Sequence, residues 1–144
     1  ASKEYDKARE TLKLAQANLG KRESILFKMV RVDLATKDVA QVQKDLKDIL
    51  SINESSLKAM GILRDLYVCN KEWDQALDLE KRIRKYIKTD EELRRFLGIK
   101  YEKIKTLYEK QGQQGERDHE SVARELRDIL SEDKRFIPAY ILLA

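Results

Sequence analysis

The sequence predicts an all-α array of antiparallel helix hairpins, and three observations carry that prediction. The first is composition. Of 144 residues, 39% are charged and 42% hydrophobic, with five glycines and one proline. So little Gly and Pro cannot punctuate the many short strands of an all-β chain, whereas abundant Leu, Lys, Glu, Ala and Arg favour helix. The second is periodicity, with apolar residues recurring at steps of three and four. The third is self-similarity: Tyr5, Val39 and Trp73 stand 34 residues apart, as do Ala8, Val42 and Ala76, and Ala15, Ile49 and Ile83. A coiled coil shares the composition but would not keep a hairpin phase at that interval.

Taken in order, the first helix is expected over Lys3 to Leu19, striped by Tyr5, Ala8, Leu12 and Ala15, with Gly20 placed for a left-handed C-terminal residue. A second, about Glu23 to Thr36, is apolar on more than one face through Ile25, Leu26, Phe27, Met29, Val30, Val32 and Leu34, and so needs neighbours on several sides. Asp38 begins the third, with Gln41 as its capping partner and Val39, Val42, Leu46, Ile49 and Leu50 as its stripe. The most legible hairpin is Leu57 to Ile83. Its first helix carries Leu57, Met60, Leu63, Leu66 and Tyr67, and its second carries Trp73, Ala76, Leu77, Leu79 and Ile83.

Thr89-Asp90-Glu91-Glu92 is a capping box that opens a long helix to about Gln111, striped by Leu93, Leu97, Tyr101, Ile104 and Tyr108. A polar loop from Gly112 to Arg117 leads to Asp118, which caps a seventh helix along Val122, Leu126, Ile129 and Leu130. Pro138 suits the first turn of an eighth. The hairpins are thus expected over about 23–52, 57–87 and 90–131, flanked by helices at 3–19 and 137–144, in a single domain. Phe136 to Ala144 stops mid-pattern and the chain begins without Met, so a fragment of a longer protein is expected. The apolar end, Ile137 to Leu143, would then lack its covering repeat and drive self-association.

A later copy is out of phase. Val42 to Ser51 (VQKDLKDILS) and Val122 to Ser131 (VARELRDILS) match across 80 residues, and the extra length falls near Tyr86–Leu97 and Gln113–Arg117. With that, the chain resembles the tetratricopeptide (TPR) family over nearly its whole length. The resemblance rests on Leu63, Tyr67, Trp73, Ala76 and Ile83 in one copy, and on Tyr5, Ala8, Leu12 and Ala15 in another. Ile104, Tyr108, Gly112, Val122, Leu126 and Ile129 carry it late, with Tyr140, Leu143 and Ala144 opening a further copy. It implies a right-handed superhelix of about seven helices plus a truncated eighth. Val30, Arg64 and Lys105 occupy the family's small-residue slot, and Asn53–Glu54 and Asp133–Lys134 replace its usual proline, so wider helix spacing is expected.

More narrowly, L-x-x-L-Y-x5-W-x2-A-L-x-L from Leu63 to Leu79, followed by Arg82, Lys85 and Lys88, resembles lipopolysaccharide-assembly protein B. That bacterial family is implied to link lipopolysaccharide synthesis to a membrane protease from the cytoplasmic face of the inner membrane. Its N-terminal anchor and its C-terminal cysteine knuckle are not in this sequence.

Catalysis finds little support. His119, the sole histidine, sits between Asp118 and Glu120 at a helix start and is expected to be an exposed polar residue. Cys69 stands alone, without a disulfide or CxxC partner, and is expected to be a buried or half-buried structural thiol. Gly112-Gln-Gln-Gly115 lacks the lysine of a phosphate loop. Carboxylates alternate with Lys and Arg, as on a solvated helix face. No cofactor or metal is implied.

Binding is the better reading, since the resemblance implies a concave groove lined by the first helices of the pairs. Its positions carry over to Phe27, Arg31, Leu34 and Ala35; to Lys58, Gly61, Asp65, Val68 and Cys69; and to Glu102, Thr106 and Glu109. For Phe27 and Leu34, core packing competes evenly with the groove. Phe27, Arg31 and Ala35 stand where chaperone-binding relatives place a Lys/Asn carboxylate clamp, which argues against a co-chaperone. A protein or peptide ligand, as an apolar helix or extended segment, is the expected partner. The alternative is a polyanion, RNA or lipid headgroup, on Lys81 to Lys105, which holds ten Lys/Arg against four Asp/Glu. No aromatic ladder accompanies those charges, the net charge is only +4, and a solvated face explains them. The membrane would be met only through that face or through an anchor outside this sequence.

Overall fold

Short side-chain signals set the helix ends in the computed structural model, which describes residues 2–113, 115 and 118–143. Ala144 and, in the polar loop, Gln114, Glu116 and Arg117 lie outside the described residues. Among the described residues the structure is wholly helical: α1 (Ser2–Leu19), α2 (Glu23–Ala35), α3 (Val39–Ile52), α4 (Leu57–Cys69), α5 (Trp73–Arg84), α6 (Asp90–Gln113), α7 (His119–Glu132) and α8 (Ile137–Leu143). Asp38 Oδ1 accepts from the Gln41 amide at 3.3 Å and Asp118 Oδ1 from the Ser121 amide at 3.1 Å. Thr89 Oγ1 accepts from the Glu92 amide at 3.2 Å. Each such cap satisfies one of the amides that a helix start leaves without an intrahelical acceptor. Gly20 takes φ +77°, and its amide closes α1 onto the Gln16 carbonyl at 2.8 Å.

The repeat is visible in the turns as well as in the side chains. Lys37 and Lys71, 34 residues apart, both adopt positive φ (60° and 59°). After Lys37 the Asp38 amide reaches back to the Asp33 carbonyl at 2.9 Å; after Lys71 the Glu72 amide reaches the Tyr67 carbonyl at 2.8 Å. This is the same C-terminal closure used twice, with lysine where glycine is favoured. The 80-residue match is equally literal. Ser51 and Ser131 hydroxyls donate to the carbonyls of Asp48 and Asp128, each at 2.6 Å. The side chains of Asn53 and Asp133 then accept from the amides of Ser55 and Arg135.

The chain divides into two compact units, Ala1–Leu66 and Tyr67–Ala144, with the boundary inside α4. In the first, α2 packs between α1 and α3, as its multi-sided apolar character requires. Leu26, Val30, Val42, Leu46, Ile49 and Met60 are fully buried there. Each such side chain contributes roughly 1.5–3 kcal/mol on leaving water. In the second unit α6 packs against α5, α7 and α8. Phe96, Leu97, Ile104, Leu126, Ile129 and Ala139 form its core.

Three expectations need correction. Cys69 is exposed, because it closes the last turn of α4 just before the Lys71 reversal. The α1 stripe is only half-buried at Ala8, Leu12 and Ala15 and exposed at Tyr5; it is made of small residues, and its helix packs on α2. Not every carboxylate is a surface group either, since Asp33, Asp45, Glu80 and Glu92 are buried.

Candidate partner-binding surface

Which residues stay available for a partner follows from which face each helix buries. On α2 the buried set is Ile25, Leu26, Met29, Val30 and Asp33. The residues one helical step away are left outward, with Arg31, Leu34 and Ala35 exposed and Phe27 half-buried. Leu34 is 44% exposed, so it is not a core residue. The first unit also brings α4 to this face, where the Lys58 ammonium lies 4.7 Å from the Phe27 ring centroid. That distance suits a cation–π contact, which fixes an aromatic edge and a positive charge side by side.

Further along α4, a Cβ added at Gly61 would meet only the Arg64 guanidinium, at 4.0 Å, so backbone is open to approach there. Asp65 is exposed and accepts from the mostly buried Arg64 through Nε and Nη2, both at 3.1 Å. The first-unit surface is therefore apolar at Phe27 and Leu34, cationic at Arg31 and Lys58, and anionic at Asp65.

In the second unit Val68 is half-buried and Cys69 exposed at the end of α4. Glu102, Thr106 and Glu109 follow at helical spacing along α6; both glutamates are exposed, and the Thr106 hydroxyl donates to the Glu102 carbonyl at 2.8 Å. That strip is polar and acidic.

The basic stretch is partly consumed within its own unit. Lys103 pairs with Asp74 at 2.6 Å, Arg95 with Glu92 at 2.8 Å and Lys100 with Glu132 at 3.8 Å. Arg84 and Lys100 both lie over Phe96, at 4.8 and 4.5 Å from its centroid. Lys81, Arg84, Lys85 and Lys88 line a shallow cavity of about 460 Å3 beside Thr89.

His119 is exposed and meets the Tyr108 ring edge-on at 5.6 Å. Among the described residues, no group of three or more His, Cys, Asp or Glu is arranged to hold a metal ion. Nor, among those residues, is any helix long and apolar enough to cross a membrane.

Sequence reasoning missed one constellation. Asp33 and Asp45 are each 3% exposed and sit against each other between α2 and α3. Arg9 Nη2 of α1 donates to Asp33 Oδ1 at 2.6 Å, and Gln41 Nε2 donates to Asp45 Oδ1 at 2.9 Å. The Asp45 carboxyl is pushed up to about 7 by burial, by its hydrogen bond with Asp33, and by the charges of Asp33 and Asp48; Gln41 acts in the opposite direction. A signal existed: both aspartates fall in phase with apolar stripes, Asp33 after Met29 and Val30, and Asp45 between Val42 and Leu46.

The helices, their capped turns and their repeat define an all-α fold of the tetratricopeptide type. Two crystal structures of MamA share it. One aligns with TM-score 0.53 at 17% identity over 99% of this chain and 76% of that one. The other aligns with TM-score 0.55 at 17% identity, covering 99% and 71%. At such identity the likeness is one of fold. No family model and no curated protein matches the sequence.

Proposed function

We propose that this protein is a non-catalytic interaction scaffold that holds a peptide or protein segment against the exposed faces of α2 and α4. The observation that carries it is the Phe27–Lys58 pair beside exposed Leu34 and Arg31, an apolar-and-cationic face that neither helix spends on its own core. Its chemistry suits an amphipathic segment with apolar anchors and an acidic residue or two. Val68, Cys69, Glu102, Thr106 and Glu109 would serve a second, more polar stretch. The fold supports the reading, because stacked helical repeats offer extended surfaces without catalytic machinery.

The test is a tiled peptide array probed with the wild-type chain and with a Phe27→Ala/Arg31→Ala/Leu34→Ala triple variant of unchanged circular dichroism. Peptides retained by the first and lost by the second support the proposal. Identical binding patterns, or no bound peptides, overturn it.

The pathway reading is narrower: an adaptor in lipopolysaccharide homeostasis at the cytoplasmic face of the inner membrane. Its support is the Leu63–Leu79 motif. Leu63, Tyr67, Ala76 and Leu79 within that motif are buried, so it reports packing first and pathway second. Polyanion binding at Lys81, Arg84, Lys85 and Lys88 is the second reading, carried by their shared cavity. A steep fall of phosphate-polymer affinity with salt would favour it. Self-association through α8, where Ile137 and Ile141 are exposed, would appear as dimer in sedimentation at high concentration.

A further inference from the structure

Four cations of the second unit stand together without a counter-charge. Lys81, Arg84, Lys85 and Lys88 follow one another at steps of three, one and three, which places all of them on one helical face. The α5 winding reaches that far. Beyond Arg84 the Lys85 backbone is still right-handed helical, and the Ile87 amide donates to the Ile83 carbonyl at 2.9 Å. Side chains four apart on such a face meet, so Lys81 and Lys85 repel, as do Arg84 and Lys88. Elsewhere in the basic stretch Lys103, Arg95 and Lys100 have found carboxylates. Among the described residues no carboxylate pairs with these four. The α5 dipole favours cations in its last turn, but Lys88 lies beyond it. It stands directly before the Thr89 cap of α6, where a helix start disfavours positive charge.

We propose that the cavity of about 460 Å3 lined by these side chains binds a diphosphate-type anion, a proposal that rests on the polyanion reading of this surface and narrows it to one ligand class. The volume falls within the roughly 300–1,000 Å3 of small-ligand sites. Lys81 and Lys88 start about 10 Å apart along the helix axis. Two bridged phosphates span that interval better than one. Arg84 is the fixed anchor: it is half-buried, and its guanidinium lies 4.8 Å from the centroid of the buried Phe96 ring. Stacking there holds the planar fork for bidentate phosphate contact. Lys81, Lys85 and Lys88 are exposed and bring charge on flexible stems. The Thr89 hydroxyl accepts from the Glu92 amide, so its proton stays available to donate. Asp90, the one acidic lining residue among those described, opposes an anion.

Titration of the full chain with inorganic pyrophosphate, beside orthophosphate, tests the site by calorimetry and amide NMR shifts. Saturable pyrophosphate binding is expected, about tenfold or more tighter than orthophosphate, with shifts centred on Lys85 to Asp90. The double variant Lys85→Gln/Lys88→Gln, exposed and outside the core, should weaken it by about tenfold or more. Asp90→Asn should tighten it by about twofold or more. A merely solvated face predicts neither change. Vesicles separate the sources of the diphosphate. Co-sedimentation with phosphatidylcholine containing diacylglycerol pyrophosphate, competed by pyrophosphate, identifies a lipid headgroup; pyrophosphate binding without co-sedimentation identifies a soluble ester. No saturable pyrophosphate binding, or affinity unchanged in the double variant, overturns the proposal. Long-chain polyphosphate tells the two levels apart: if it still binds after such a result the polyanion reading stands alone, and if it does not, both fall.

Discussion

At the scale of single residues, Asp45 shows how a buried group makes stability depend on pH. Burial beside Asp33 pushes its folded carboxyl up to about 7 from an ordinary value of 3.8. Below about 4 both folded and unfolded chains hold the proton, and the pair is neutral enough to tolerate burial. As pH rises from about 4 to 7 the unfolded chain loses the proton first, so the folded state is progressively disfavoured. Above 7 the loss is complete, and for a shift of this size it is on the order of 4 kcal/mol. Asp45→Asn keeps an acceptor for Gln41 and removes the charge. Chemical denaturation at pH 5 and pH 8 should show the wild type losing stability between them while the variant stays nearly level. Parallel curves would sink this account. Composition could not announce the effect: the sequence marks Asp45 only by its place between Val42 and Leu46, and its packing against Asp33 is what raises its carboxyl.

Individual helices are where the sequence was most legible and where its backbone left a defect. Asp38, Thr89 and Asp118 cap as their spacing implies, because a cap is a local contract between a side chain and an amide three residues on. The fates of Cys69 and Tyr5 were hidden for the converse reason, since exposure depends on which neighbours cover a helix. The same limit applies to Phe27 and Leu34, whose apolar character suits core and surface alike until the covering helices are placed. The C-terminal turns carry a cost that local reasoning can price. Lysine at positive φ strains its Cβ against the preceding carbonyl by roughly 1 kcal/mol, and glycine does not. Lys37→Gly and Lys71→Gly should therefore each raise stability by about 0.5–1 kcal/mol, additively, because the two turns are 34 residues apart and share no hydrogen bond. A midpoint shift toward lower denaturant in either variant would mean that the lysine side chain contributes more than its backbone costs.

For the whole molecule, the 34-residue period was the strongest signal, and the 80-residue match recovered the copy that slipped phase. Both survive as repeated hydrogen bonds at the turns, not only as repeated side chains. What the repeat could not supply is how cohesion is distributed along the chain. Contacts gather into two units, each with its own buried set: Ile49 among Leu46, Val42 and Val30 in the first, Leu126 among Leu97, Ile104 and Ile129 in the second. In a chain built of stacked repeats, a core lesion should be felt most by the helices that share that core. Ile49→Ala and Leu126→Ala each leave a cavity at a fully buried site, at a cost of about 2–5 kcal/mol. Hydrogen exchange should then show the first accelerating amides of α2 and α3, and the second those of α6 and α7. Uniform acceleration across all helices by either variant would show a single cooperative core and overturn the two-unit picture. Separate responses would also localise the groove experiment and the Asp45 pH dependence, because Phe27, Lys58 and Asp45 all belong to the unit that Leu126→Ala leaves protected.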